Sequence, residues 1–111
     1  MILHHCMPKE SDWKLFNVKI VSWQEEYMKK LNEGYINILK RNENASSNFW
    51  TLFKKINKDS KKIGVVIENS KSKLFDNLLE LLHTKVISFT DLNEFSEELQ
   101  NDLKAKMNIK V

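Results

Sequence analysis

The stretch Trp13–Lys40, WKLFNVKIVSWQEEYMKKLNEGYINILK, decides the fold. Trp13, Phe16, Ile20, Trp23, Tyr27, Leu31, Tyr35 and Ile38 recur at intervals of three and four, the period of one helix face and not of an alternating strand. Leu15, Val18, Val21, Met28, Ile36 and Leu39 widen that face beyond a narrow seam. The spacing therefore predicts one long amphipathic helix packed against more than one neighbour. Lys14, Lys19, Glu25, Glu26, Lys29, Lys30 and Glu33 take the other side. Glu25 with Lys29 and Glu26 with Lys30 are i,i+4 pairs in the better orientation, worth about 0.2–0.5 kcal/mol each. Gly34 is the weak point, costing about 1 kcal/mol against Ala. It marks a close approach, a bend or a break; we read the helix as continuous. Ser11 is the expected N-cap, with Asp12 acidic in the first turn.

Working outward, residues 41–48, RNENASSN, are polar turn formers and read as a linker. A second helix is expected over about 47–62, capped by Ser46 or Ser47. Phe49, Leu52, Phe53 and Ile56 form its inner face, and Trp50 flanks them at the edge of the core. Val65, Val66 and Ile67 are β-branched, which favours extended backbone. We read 63–68 as a linker that drops apolar side chains into the core, the alternative being a short extended segment at 65–67. A third helix, about 71–83, is capped by Ser70 or Ser72 and carries leucines on a wide face; His83 suits its end. Ser88-Phe89-Thr90-Asp91 has the form of a capping box, with Ile87 and Leu92 as the staple, and predicts a fourth helix over 88–104. Residues 1–10 and 108–111 read as frayed ends.

The expectation is thus an all-α, four-helix single domain spanning 1–111, in which three shorter helices pack on the long first one. Composition agrees. Two Gly and one Pro in 111 residues leave too few turn formers for an antiparallel sheet or barrel. The 41% apolar and 30% charged fractions suit a folded chain. With one cysteine, Cys6, no internal disulfide can form, which fits a reducing compartment. No apolar run approaches the roughly 20 residues of a membrane span, and no cleavable signal is visible. The expected location is cytoplasmic, with no membrane partner.

Catalytic and cofactor chemistry find little support. Gly34 and Gly64 are isolated, so neither a dinucleotide fingerprint nor a phosphate loop is present. No G-x-S-x-G surrounds a serine, and His83 has no partner to recommend it as a base. His4, His5 and Cys6 are adjacent metal-capable residues without zinc spacing. The Glu25/Glu26 and Glu97/Glu98 pairs lack the Glu-x-x-His of a di-metal bundle. No enzyme activity, cofactor, metal or small-molecule substrate is expected.

Two binding readings remain. Residues 54–73 hold seven lysines against Asp59 and Glu68, and Lys54, Lys58, Lys61 and Lys62 lie nearly on one helix side. Such a row could follow a phosphate backbone. The chain has one arginine, however, and the last helix opens acidic, which suits a recognition helix poorly. Against this, 54–73 is basic and 91–102 acidic, an invitation to self-association or to an oppositely charged protein. Eleven aromatics exceed what so small a core needs, and Trp13, Trp23, Tyr35 and Trp50 are candidate protein contacts. The preferred expectation is a non-catalytic interaction, regulatory or adaptor protein, with a homodimer allowed. By analogy alone, its size suits an accessory protein of a phage or mobile element. A lysine-rich nucleic-acid-binding accessory protein is the alternative.

Overall fold

A computed structural model of the chain describes residues 8–108, and these are helical with no strand. The long helix is continuous: α1 runs Glu10–Leu39, about 45 Å at 1.5 Å per residue. It passes through Gly34 unbroken, and no neighbouring atom lies within 4 Å of where a Cβ would sit. The chain then turns back along α1 as α2, Ala45–Asp59. A single 3-10 turn, Lys71–Lys73, leads into α3, Leu74–His83, and α4 spans Glu97–Lys106.

The core gathers at one end of α1. Phe16 and Ile20 meet Leu74, Phe75, Leu78, Leu81 and Leu82 of α3 and Leu99 and Leu103 of α4. Ile63, Ile87, Leu92 and Phe95 close the space between them. Trp13 stacks on Phe16 at 6.4 Å, Phe16 meets Trp23 edge-on at 6.0 Å, and Trp23 reaches Phe95 at 6.2 Å. The inner row read from the periodicity of α1 is therefore the core row in its N-terminal half. The C-terminal half projects beyond the core with α2 beside it. The molecule measures 55 × 28 × 24 Å with a radius of gyration of 17.2 Å, well above the ~13 Å of a compact chain this size.

Residues 60–70 are a linker without a strand, held to α1 and α3 by side chains. Gln24 Nε2 donates to the Ile63 carbonyl at 3.1 Å, Asn69 Nδ2 to Asn17 Oδ1 at 2.9 Å, and Asn77 Nδ2 to the Glu68 carbonyl at 3.0 Å. Ile63 is buried as expected, while Val66 stays exposed. Gly64 is also buried, against the Tyr27 ring, where any Cβ would collide with Cγ, Cδ2 and Cε2 of that ring.

Four helix starts differ from the sequence reading; at α3 the cap position is Lys73, not Ser70 or Ser72, and no side chain caps it. The capping box at Ser88 forms, with the Ser88 N–H donating to Asp91 Oδ2 at 2.8 Å. It caps only a 3-10 turn, Phe89–Leu92, and α4 starts anew after Ser96. A local motif fixes one turn, and Leu92 and Phe95 are both buried at this bend. At the start of α1, Lys9 occupies the cap position and Ser11 lies within the helix. Asp12 is turned inward and buried, accepting from the Ser96 N–H at 2.9 Å and from Ser96 Oγ at 2.7 Å. Ser96 Oγ in turn accepts from the Leu99 N–H at 3.2 Å, so a carboxylate on α1 holds the N-cap of α4. At α2 the cap is Asn44, whose side chain accepts from the Ser47 N–H at 2.8 Å, and not Ser46 or Ser47.

Replacing Asp12 by Ala leaves two Ser96 donors without their acceptor and should destabilise the fold by about 2–3 kcal/mol. Ser11→Ala should be nearly neutral; chemical denaturation of both variants separates the inward acid from the expected cap. The two glycines should respond with opposite signs. Gly34→Ala faces open space in a helix and should stabilise by about 1 kcal/mol, whereas Gly64→Ala should destabilise by about 1–3 kcal/mol through the Tyr27 clash. Melting temperatures of the two variants give the comparison.

Candidate protein-interaction surface

The way α2 is attached determines what the surface offers. Its buried residues are Asn48 and Asp59, three helical turns apart on one line, and both are polar. Asn48 Nδ2 donates to the Arg41 carbonyl at 3.2 Å and the Leu39 carbonyl at 3.5 Å, and so reaches the carbonyls left open at the end of α1. Its Oδ1 accepts from Arg41 Nε at 3.1 Å and Nη2 at 3.0 Å. The same guanidinium reaches Thr51 Oγ1 at 3.2 Å, so the one arginine of the chain is engaged inside the hairpin.

Asp59, 1% exposed, is the second anchor. Tyr35 Oη of α1 donates to its Oδ2 at 2.7 Å, and Lys55 Nζ bonds the carboxylate at 2.8 and 3.0 Å. Lys62 Nζ approaches Oδ1 at 3.2 Å from the linker. Burial pushes the Asp59 carboxyl up, but the hydrogen bonds from Lys55, Tyr35 and Lys62 outweigh it and hold the group at about 2. Burial, then the hydrogen bond to Asp59, raises the Tyr35 hydroxyl to about 12. The bond to Asp59 also raises Lys62.

With that polar line turned toward α1, the apolar stripe of α2 turns away. Of the inner face expected from spacing, Leu52 is half-buried, while Phe49, Phe53 and Ile56 are exposed at 59%, 53% and 43%. Trp50, 56% exposed, meets Phe49 and Phe53 edge-on at 4.9 and 5.7 Å. The stripe continues across the hairpin. Ile56 shares a shallow cleft of about 190 Å3 with Met28, Leu31 and Tyr35 of α1. Val21 and Leu39 lie seven and eleven residues from Met28, on the same helical row, and both are exposed together with Ile36. Three rings of roughly 150–250 Å2, each more than half open, leave about 250–400 Å2 of aromatic surface before the aliphatic residues are added. That already matches the largest patch of an ordinary monomer.

The residues singled out from sequence fall in different places. Trp13 and Trp23 are half-buried against the core, Tyr35 is bound to Asp59, and Trp50 is open on α2. Of the basic row, Lys62 is paired with Asp59; Lys54, Lys58 and Lys61 are exposed and form no ion pair among the described residues. The acidic region is partly neutralised within the chain, Glu94 by Lys19 at 3.0 Å and Glu98 by Lys9 at 3.6 Å, while Asp91 caps Ser88. Glu25 and Glu26 do not close on Lys29 and Lys30. Phe49, Phe53 and Ile56 escaped the sequence reading as surface residues. Their signal was the polar row Asn48, Lys55 and Asp59 on the neighbouring face, at seven- and four-residue spacings.

A larger cleft, about 470 Å3, opens between Lys30, the segment around Lys85–Phe89 and Met107. Its one carboxylate, Asp91, is engaged with Ser88. Among the described residues no group of three or more His, Cys, Asp or Glu is placed to hold a metal ion, and no helix is long and apolar enough to cross a membrane. His83 ends α3 in solvent, and His4, His5 and Cys6 lie outside the described residues. No protein-family model, curated protein or solved structure matches the chain.

The hairpin should carry a distinctive pH dependence. The Asp59 carboxyl sits below its ordinary 3.8, so its stabilisation is complete above about pH 4 and is lost as pH falls toward 2. Tyr35 sits above its ordinary 10.0, so its stabilisation is complete below pH 10 and is lost as pH rises toward 12. Amide protection in α2, relative to the intrinsic exchange rate at each pH, should fall in both windows. Asp59→Asn should flatten the acid arm, and Tyr35→Phe the alkaline one.

Proposed function

We propose that the chain is a non-catalytic interaction module, of regulatory or adaptor type, that engages another protein surface through the apolar side of the α1–α2 hairpin. The observation that carries this reading is the aromatic stripe Phe49–Trp50–Phe53, more than half exposed and held outward by the polar anchors Asn48 and Asp59. A helix needs no aromatic row on its solvent side, and contiguous rings in that position concentrate at binding hot spots. Catalysis lacks the parts: the strongly perturbed groups, Asp59 and Tyr35, are bonded to each other and to two lysines in a structural clamp. The lysine-rich nucleic-acid reading is less favoured, because Lys62 and Arg41 are engaged internally. That leaves Lys54, Lys58 and Lys61 as point charges for phosphate.

A photo-crosslinking phenylalanine analogue at position 53 should give protein adducts in native extract, unchanged by nuclease. The same analogue at Glu80, exposed on α3, should give few. Equal yields at the two positions would sink the assignment of the hairpin face as the contact surface.

A further inference from the structure

We infer that the cleft between Lys30, the Lys85–Phe89 segment and Met107 binds a small amphipathic monoanion, an apolar body carrying one carboxylate. None of its lining residues belongs to the exposed apolar stripe of the hairpin, so this site stands or falls apart from the reading of that face. Three observations support it.

The first is a backbone one. Two non-glycine residues among those described have positive φ, Lys85 at 62° and Asn108 at 58°. Asparagine tolerates this left-handed region, whereas lysine pays its full steric cost. Lys85 follows the end of α3. Its N–H donates to the Leu82 carbonyl at 3.1 Å, and the Val86 N–H donates to the Leu81 carbonyl at 3.0 Å. Helices ordinarily use glycine for this pair of bonds. A cation suits the helix dipole at this end, yet position 84, at φ −88°, would carry one without the left-handed cost. Local structure therefore gives no reason for a lysine at 85, and its side chain lines the cleft.

The second is the cleft itself. Its volume of about 470 Å3 is that of a small-molecule site. Leu82 and Ile87 line it as members of the core, and Val86, Phe89 and Met107 are packed against that core. An apolar lining anchored in this way exists before the ligand arrives. Met107, unbranched and polarizable, is the residue able to adjust to the shape of the ligand.

The third is charge. Lys30 comes from α1 and Lys85 from the end of α3, and neither has an ion pair among the described residues. Asp91, the carboxylate of the lining, accepts from the Ser88 N–H at 2.8 Å. Two cations against one carboxylate leave a single positive charge, which one negative charge balances. A phosphate monoester would bring a second negative charge beside Asp91. An uncharged apolar molecule would make no use of the lysines. Ser88, the one hydroxyl of the lining, is hydrogen-bonded to Thr90 Oγ1 at 2.7 Å, so the cleft holds a ligand without converting it.

The test is titration of the isotopically labelled full chain with octanoate, followed through its backbone amide shifts. Saturable shifts should centre on residues 85–89 and 107, with a Kd on the order of 0.1–1 mM. 1-Octanol, the same body without the charge, should bind roughly tenfold more weakly. Octyl phosphate should bind no tighter than octanoate. Lys85→Gly should raise the melting temperature by a few degrees while weakening octanoate roughly fivefold or more, so the loss of binding is separated from any loss of fold. Lys30→Gln should weaken octanoate by a similar factor. Phe53→Glu, on the hairpin stripe, should leave octanoate binding unchanged. No saturable shift up to about 10 mM would overturn the assignment. Shifts that follow α2 instead, octanol binding as tightly as octanoate, or a Lys85→Gly chain that binds unchanged or melts lower would also overturn it. Adduct yields at position 53 are independent of each of these results.

Discussion

The carboxylate of Asp59 is the constraint on which the outer half of the molecule depends. It is buried, and it is surrounded by a tyrosine hydroxyl from α1 and ammonium groups from α2 and the linker. A charge removed from water in this way is tolerable only when its partners are in place, and removing any of them leaves an expensive orphan. The bonds are directional, so they specify the rotation of α2 about its own axis as well as its distance from α1. Asn48 repeats that specification three turns away by bonding the open carbonyls at the end of α1. Two polar anchors on one line leave α2 a single orientation.

That orientation explains the division of the molecule into two unlike parts. Around Phe16 and Ile20 the structure is held by apolar burial, with Leu74, Leu78, Leu81, Leu92 and Leu103 fully enclosed. Along the hairpin it is held by hydrogen bonds, and large apolar side chains point into solvent. The first arrangement is driven by area removed from water. The second keeps apolar area in water until a partner surface covers it. A fold that needed only internal stability would have no use for the second, and this is why the hairpin face, and not the clefts near the core, is the protein-contact surface we propose.

A carboxylate performs a related task at the other end. Asp12 is bound by the backbone and hydroxyl of Ser96, which in turn caps α4. The acid expected to complement the dipole of its own helix instead organises another one 84 positions later. Because Ser96 starts a fresh helix, the Phe89–Leu92 turn can bend and place Leu92 and Phe95 in the core. The linker strap through Gln24, Asn17 and Asn77 follows the same logic, side-chain amides satisfying backbone or each other where no regular ladder exists.

Much of this architecture is written locally. Periodicity alone determines the thirty-residue helix, since eight residues at three- and four-residue intervals admit no other backbone period. Scarce Gly and Pro determine the all-α class, and the Ser88 box is real chemistry acting over one turn. What the tertiary structure decided is orientation. The sequence offers α2 two adjacent faces, one with Phe49, Phe53 and Ile56, the other with Asn48, Lys55 and Asp59. Hydrophobic ranking favours burying the first. The second is turned to α1, with Asn48 and Asp59 buried, because its partners, Tyr35, Arg41, Lys62 and the carbonyls of Leu39 and Arg41, come from other segments, and pairing across segments is invisible to a periodicity read within one. Asp12 turns inward for the same reason: its partner Ser96 becomes a neighbour only once the chain has folded.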